Sequence, residues 1–218
     1  MRYEDSCVSE EINKYSEEHS SEEHPILQEL TRQTHLRMIN PRMISGKQQG
    51  LLLQILCKLK RPQNILEIGT FTAYSTIAMA LALDDDAKIT TIERNEENED
   101  IILEFVEKAE QLHKIDLIIG DALEVIPELN KTWDLVFIDG DKREYEKYFD
   151  LVIDNVCTGG LIITDNVLWS GKVLIDSEIE KDEQTAAVDA FNKKVSKDSR
   201  VDSLLLPFRD GLMILVKR

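Results

Sequence analysis

Asp139, Asp165 and Asn166 are the residues whose types and spacing speak most directly of chemistry. Two carboxylates and an amide form an all-oxygen, hard ligand set. Such a set suits Mg2+, Mn2+ or Ca2+ and leaves positions open for water or substrate. Zinc is disfavoured, because His19, His24, His35 and His113 show no metal-ligand spacing; His113 is explained more simply as a favourable charge closing a helix. Lys142, three residues after Asp139, reads as a general base if a dication and burial lower its pKa, or as a solvated lysine at a helix start. Glu67 interrupts the apolar run Ile65-Leu66-Glu67-Ile68, and a buried carboxylate demands a partner, either a ligand ammonium or backbone donors. Glu93 reads as an acceptor for both hydroxyls of a ribose, or as an exposed strand-end acid. Gly69 permits close approach of the backbone to a ligand. With one glycine where a dinucleotide fingerprint has three, NAD or FAD is weakly supported.

The elements that must position these residues alternate in type. Short β-rich runs at 64–69, 88–93, 116–119, 133–139 and 160–165 are followed by helical stretches at 75–83, 96–113, 122–129, 144–155 and 182–197. That rhythm predicts a parallel sheet with helices on both faces. The end breaks it: runs at 203–206 and 212–216 flank Pro207-Phe208-Arg209-Asp210-Gly211, a hairpin-like connection. The expectation is an α/β fold with a mostly parallel seven-stranded sheet and one antiparallel hairpin strand. In such sheets ligands bind beyond the carboxyl ends of the strands, where Glu67, Glu93, Asp121, Asp139 and Asp165 all fall. Helix capping by Asp or Asn explains one or two of these ends, but five acidic ends in a row only poorly.

Ahead of the sheet, residues 46–60 predict a helix with Leu51, Leu52, Ile55, Leu56 and Leu59 on one side. Pro25 begins another, with Ile26, Leu27, Leu30 and, more weakly, Leu36 at helical spacing, before Pro41 interrupts. Residues 7–23 are polar and acid-rich, with a break at His19, Ser20 and Ser21. Residues 1–44 therefore read as a helical appendage to a domain over 45–218.

Taken together, the segments LEIGTFTAYSTIAMA (66–80), TIE (91–93), GDA (120–122), DLVFIDGDK (134–142), ITDNVLW (163–169) and FRDGLMI (208–214) resemble the metal-dependent class I O-methyltransferases of the catechol and caffeoyl-CoA type, bacterial branch. The likeness spans roughly residues 40 to 218, in the family's order and spacing. It implies a Rossmann-like methyltransferase fold and transfer of a methyl group from S-adenosylmethionine to an oxygen. Carried over by position, it implies that Glu67, Gly69, Thr70 and Ser75 contact the methionine part of the cofactor, with Ser45 a further contact. Glu93 would hold the ribose and Ala122 would lie at the adenine. Asp139, Asp165 and Asn166 would bind the metal, Mg2+ before Mn2+ or Ca2+, with Asp139 also lining the cofactor site. Lys142 would be the catalytic base, acting beside Asp139. Ala73 departs from the pattern, standing where many relatives have a second glycine. The resemblance also implies that the appendage shapes the acceptor pocket and pairs the chain into a homodimer.

The 218 residues suit one sizeable domain, and 42% hydrophobic with 31% charged residues excludes a disordered or fibrous chain. A net charge of −16 disfavours non-specific contact with phosphate backbones and anionic membranes. Cys7, Cys57 and Cys157 are too few and too scattered for a disulfide framework and suit a reducing cytoplasm. Neither a signal peptide nor a membrane span is expected. The acceptor is expected to be a hydroxylated small molecule, catechol-like or a vicinal diol. The alternative is a tRNA hydroxyuridine, reached through a local basic face of Arg37, Arg42, Lys58, Lys60 and Arg61.

Overall fold

The computed structural model describes residues 10–218; Cys7 lies outside them. Seven strands form one sheet in the order β3-β2-β1-β4-β5-β7-β6, where β1 is Asn64–Ile68, β2 Lys88–Glu93, β3 Ile115–Ile119, β4 Trp133–Ile138, β5 Val156–Asp165, β6 Val201–Leu206 and β7 Leu212–Lys217. β1 pairs with β2, β2 with β3 and β4 with β5 in parallel, whereas β7 runs antiparallel to both β5 and β6. The expected mostly parallel sheet with one reversed hairpin strand is therefore present. Strands such as NILEI and WDLVFI are apolar on both faces because helices cover parallel sheets on both sides.

The helices are α1 (Glu10–Glu18), α2 (Pro25–Arg37), α3 (Lys47–Lys60), α4 (Tyr74–Ala80), α5 (Glu99–Lys108), α6 (Ala122–Val125), α7 (Tyr145–Val152), α8 (Asp176–Lys181) and α9 (Glu183–Val195). None is long and apolar enough to cross a membrane. The acid-rich stretch before His19 forms α1, supported by helix-favouring Glu and Lys and an i,i+4 pair of Lys14 with Glu18. In α3 the buried residues are Gln49, Gly50, Leu53 and Cys57, while Ile55 and Leu59 are exposed. The expected apolar side is thus turned partly outward. Its neighbour α4 dictates this, because Gly50 lets Tyr74 come so close that a Cβ at Gly50 would lie 3.0 Å from the Tyr74 ring. The single helix expected over 122–129 shortens to α6 and a 3-10 turn, since Pro127 lacks an amide donor.

The chain divides into two compact units, Glu11–Ala122 and Leu123–Arg218. In the first, the core joins Ile65, Leu66 and Ile68 of β1 to Ile77 and Met79 of α4 and to Ile102 and Phe105 of α5. In the second, Phe137 of β4 and Ile162 and Ile163 of β5 are buried with an aromatic cluster, in which Tyr145 and Phe149 meet Phe191 edge-on at centroid distances of 5.5 and 6.5 Å.

Candidate active site

The first group of functional side chains lies wholly within Glu11–Ala122. β1 ends in Glu67-Ile68 and enters the loop Gly69-Thr70-Phe71-Thr72-Ala73 before α4 begins. Positive φ recurs at alternate residues: Gly69 at 96°, Phe71 at 51° and Ala73 at 67°. For residues with a Cβ this costs roughly 1–2 kcal/mol each, so the loop must be held by its surroundings. Glu67 is fully buried, and its carboxylate accepts hydrogen bonds from Ser75 Oγ at 2.5 Å, Thr91 Oγ1 at 2.6 Å and Thr76 Oγ1. Hydroxyl donors thus supply partners that this buried carboxylate requires. Ser75 and Thr76 belong to the first turn of α4, so Glu67 fastens that turn to the sheet.

Glu93, at the end of β2, is also buried. Its Oε2 accepts the Phe71 N–H at 2.7 Å and its Oε1 the Asn95 N–H at 2.8 Å. A carboxylate has about four lone-pair sites, so each oxygen can accept a further hydroxyl while it holds the loop. The exposed strand-end alternative for Glu93 is excluded by this burial. The Gly120 N–H donates to the Glu93 carbonyl at 2.8 Å, which brings the Gly120-Asp121-Ala122 turn to the same strand end. Arg94 lies 3.5 Å from Asp121 there. Glu67, Thr70, Ser75 and Glu93 are thus joined in one region and Ala122 adjoins it. Ser45 is buried just ahead of α3, and the hydrogen bonds of the loop run through other residues.

Sequence reasoning singled out neither Thr91 nor Thr76. A signal for Thr91 was present: a threonine inside a strand buried on both faces needs a hydroxyl partner, and the β1–β2 register sets Thr91 directly opposite Glu67.

The second group lies within Leu123–Arg218. β4 and β5 pair with Ile138 opposite Thr164, so Asp139 and Asp165 occupy the next positions on neighbouring strands, where strand spacing is about 4.8 Å. Lys142 opens a 3-10 turn, and its Nζ donates to Asp139 Oδ1 at 2.7 Å, lying 5.1 Å from the Tyr145 ring centroid. Lys142 is buried, which excludes the solvated reading. Burial is the largest single influence and works against its charge, but Asp139 and Tyr145 together outweigh it and hold the ammonium above the usual lysine range. Burial likewise holds the Tyr145 phenol protonated, above the usual tyrosine range. Tyr145 O–H donates to the Asp165 carbonyl at 2.9 Å, and Asp165 Oδ1 accepts the Asn166 N–H at 2.8 Å. Asn166 adopts φ 56°, a left-handed conformation that Asn tolerates better than most residues. Its loop is braced by the β6–β7 turn, where Val167 N–H donates to the Gly211 carbonyl at 3.1 Å and Leu168 N–H to the Asp210 carbonyl at 2.8 Å. Among the described residues no three His, Cys, Asp or Glu side chains are grouped to hold a metal. The set at these strand ends is two carboxylates and an amide, and its all-oxygen chemistry fits a hard dication.

The family model described as O-methyltransferase matches residues 17–218. A caffeoyl-CoA O-methyltransferase of Pinus taeda is 40% identical over 182 residues, covering 79% of this chain and 70% of that protein. Among solved structures, the SAH-bound methyltransferase of Podospora anserina superposes with a TM-score of 0.89 at 26% identity, covering 97% of each chain. The O-methyltransferase of Bacillus cereus in complex with SAH gives 0.88 at 27%, covering 95% of this chain and 97% of that one.

Proposed function

The chain belongs to the O-methyltransferase family and is an S-adenosylmethionine-dependent enzyme. On that premise we propose that it methylates one of two neighbouring hydroxyls on a catechol-like or vicinal-diol small molecule, with a divalent cation at the acceptor. One observation supports this reading above the others. Asp139 and Asp165 stand at matched positions on paired strands, with a buried lysine 2.7 Å from Asp139.

In this reading Glu67, Gly69, Thr70, Ser75 and Ser45 form the methionine side of the cofactor site. Glu93 accepts the ribose hydroxyls, Ala122 adjoins the adenine, and Asp139 borders both cofactor and metal. Asp139, Asp165 and Asn166 would hold Mg2+, Mn2+ or Ca2+, which supplies positive charge that lowers a hydroxyl pKa and fixes two vicinal oxygens. Tyr145 and the Asn166 N–H keep Asp165 in place. Lys142 takes the acceptor proton at Nζ. To do so it must first be neutral, a state that positive charge held by Asp139 would favour by offsetting the carboxylate beside it. The acceptor oxygen then attacks the methyl carbon, and the electron pair of the breaking C–S bond goes to sulfur. Holding the two reactants in line is worth roughly 7–11 kcal/mol of the barrier.

The apolar residues left exposed on the appendage and α3, among them Leu36, Ile39, Met43, Ile55 and Leu59, support a homodimer through that face. We take residues 45–218 as the catalytic domain with 1–44 appended to it, and the enzyme as cytoplasmic. The tRNA alternative loses support because two of its five cations are already engaged, Arg37 with Glu104 at 2.7 Å and Arg61 with Asp84 at 2.9 Å.

The test is transfer of labelled methyl to a panel of vicinal diols and their monohydroxyl counterparts, with EDTA and with Mg2+ restored. Transfer to the diols alone, lost in EDTA and regained with Mg2+, is expected. Full activity in chelator refutes the metal, and equal activity on monohydroxyl compounds refutes two-oxygen recognition.

A further inference from the structure

Thr34 sits on α2, in the N-terminal appendage, yet it is fully buried, and its hydroxyl donates to Thr72 Oγ1 at 3.0 Å. Thr72 is the fourth residue of the positive-φ loop and is fully buried as well. Two residues earlier, the Thr70 and Thr91 hydroxyls meet at 2.6 Å. Because the Thr91 proton points to Glu67 at 2.6 Å, Thr70 is the donor in that pair, and the relay runs Thr70 to Thr91 to Glu67. Between the two, the Phe71 N–H is held by Glu93. Three consecutive loop residues are therefore pinned from two elements: Thr70 by the interior of β2, Phe71 by its end, and Thr72 by α2. The positive-φ residues Gly69, Phe71 and Ala73 alternate with the threonines that are pinned through their side chains. A second tie runs from Tyr74 O–H at the start of α4 to the Glu23 carboxylate just before α2.

We infer that Thr34 and Thr91 are positioning residues for cofactor binding, each clamping the Gly69–Ala73 loop by a buried threonine–threonine hydrogen bond. The N-terminal appendage thereby helps to build the cofactor site. This rests on the reading that the loop binds S-adenosylmethionine. An unpinned loop relaxes its left-handed residues and must be reordered when the cofactor arrives, so the loss appears in affinity and not in the chemical step.

The experiment titrates S-adenosylmethionine and S-adenosylhomocysteine calorimetrically into the full-length wild type and the variants Thr34→Val, Thr72→Val, Thr91→Val, Thr34→Ser and Thr91→Ser. It also measures KM for the cofactor and kcat. Thr34→Val and Thr72→Val are expected to raise Kd and KM by about three- to tenfold, the effect of one hydrogen bond, and Thr91→Val by at least as much, because it also removes a donor to Glu67, with kcat changed less than about twofold. The serine variants, which keep the hydroxyl, should bind within about twofold of wild type. The double variant Thr34→Val/Thr72→Val should be no worse than either single one. Folded valine variants with wild-type affinity, serine variants as weak as valine, or additive effects in the double variant overturn the inference. If Thr34→Val does not fold, Thr72→Val together with Thr34→Ser decides the same question. A wild type that binds neither ligand refutes the cofactor reading itself, which separates the two failures.

Discussion

Replacing Glu93 by Gln tests how the end of β2 shapes the loop after β1. The carboxylate accepts two backbone amides at once, from Phe71 at 2.7 Å and from Asn95 at 2.8 Å. An amide side chain has one oxygen and one NH2 group, so it can accept from only one of them and must aim a donor at the other. A hydrogen bond to a charged group contributes about 1.5–3 kcal/mol, and a neutral one about 0.5–1.5. One bond is lost and the other weakened, which sums to about 2–4 kcal/mol. Both amides are only partly buried, so water recovers some of this, leaving a cost of about 1.5–3 kcal/mol. For a chain of this length each kcal/mol moves Tm by roughly 2–4 °C, so calorimetry should find Tm lower by about 3–12 °C. If the ribose reading also holds, cofactor affinity falls by about tenfold or more, because two hydroxyls lose a charged acceptor. A Glu93→Gln variant that melts within about 1 °C of wild type refutes the structural reasoning. One that melts lower but binds cofactor normally refutes only the ribose assignment.

Lys142→Ala should lower kcat by about 10²–10⁴-fold while leaving the calorimetric Kd for S-adenosylmethionine nearly unchanged; wild-type turnover would remove Lys142 from the mechanism. Gly211→Ala should cost about 2–4 kcal/mol in urea unfolding and depress activity, because at φ 88° the new Cβ would lie 2.7 Å from the Leu168 backbone nitrogen and displace the Asn166 loop. Asp182 caps α9 through the Gln184 N–H and the Thr185 hydroxyl, and its pKa is lowered chiefly by the Thr185 hydrogen bond. Asp182→Ala should therefore cost about 1 kcal/mol at neutral pH. A depressed folded-state pKa means that the stabilisation is present above the unfolded value near 3.9 and is lost as pH falls through the folded value. The difference between wild type and variant should thus persist down to about pH 4 and shrink below it, as read from urea midpoints across an acid series.

Much of the fold was legible because burial on both faces writes a strong pattern. The runs 135–138 of β4 and 161–163 of β5 are apolar, and the acidic residues at the ends of β2, β4 and β5 point to the site from the sequence alone. Helix faces were less legible. In α3 the largest apolar residues are not the most buried, since close approach to Tyr74 selects the face containing Gly50 and leaves Ile55 and Leu59 outside. Sequence spacing carries no trace of which neighbour a helix will meet. The polar network was legible in part: a charge inside β1 announced that Glu67 needs partners, but the identity of those partners depends on register and on the first turn of α4. The Thr34–Thr72 contact, across 38 positions of sequence, had no local signal at all.

The donors to Glu67 also bear on how this sequence can drift. The three hydroxyls of Ser75, Thr76 and Thr91 meet at one buried charge, and serine and threonine can interchange at those positions with little loss. An apolar replacement at any one of them leaves the charge underpaired, while loss of Glu67 alone strands three hydroxyls. Losing one hydrogen bond to a charged group costs about 1.5–3 kcal/mol, a sizeable share of a typical margin of about 5–15. The four positions therefore behave as one inherited character. Lineages are expected to keep the set intact or to exchange it as a whole, since each path through a single apolar step gives up part of that margin.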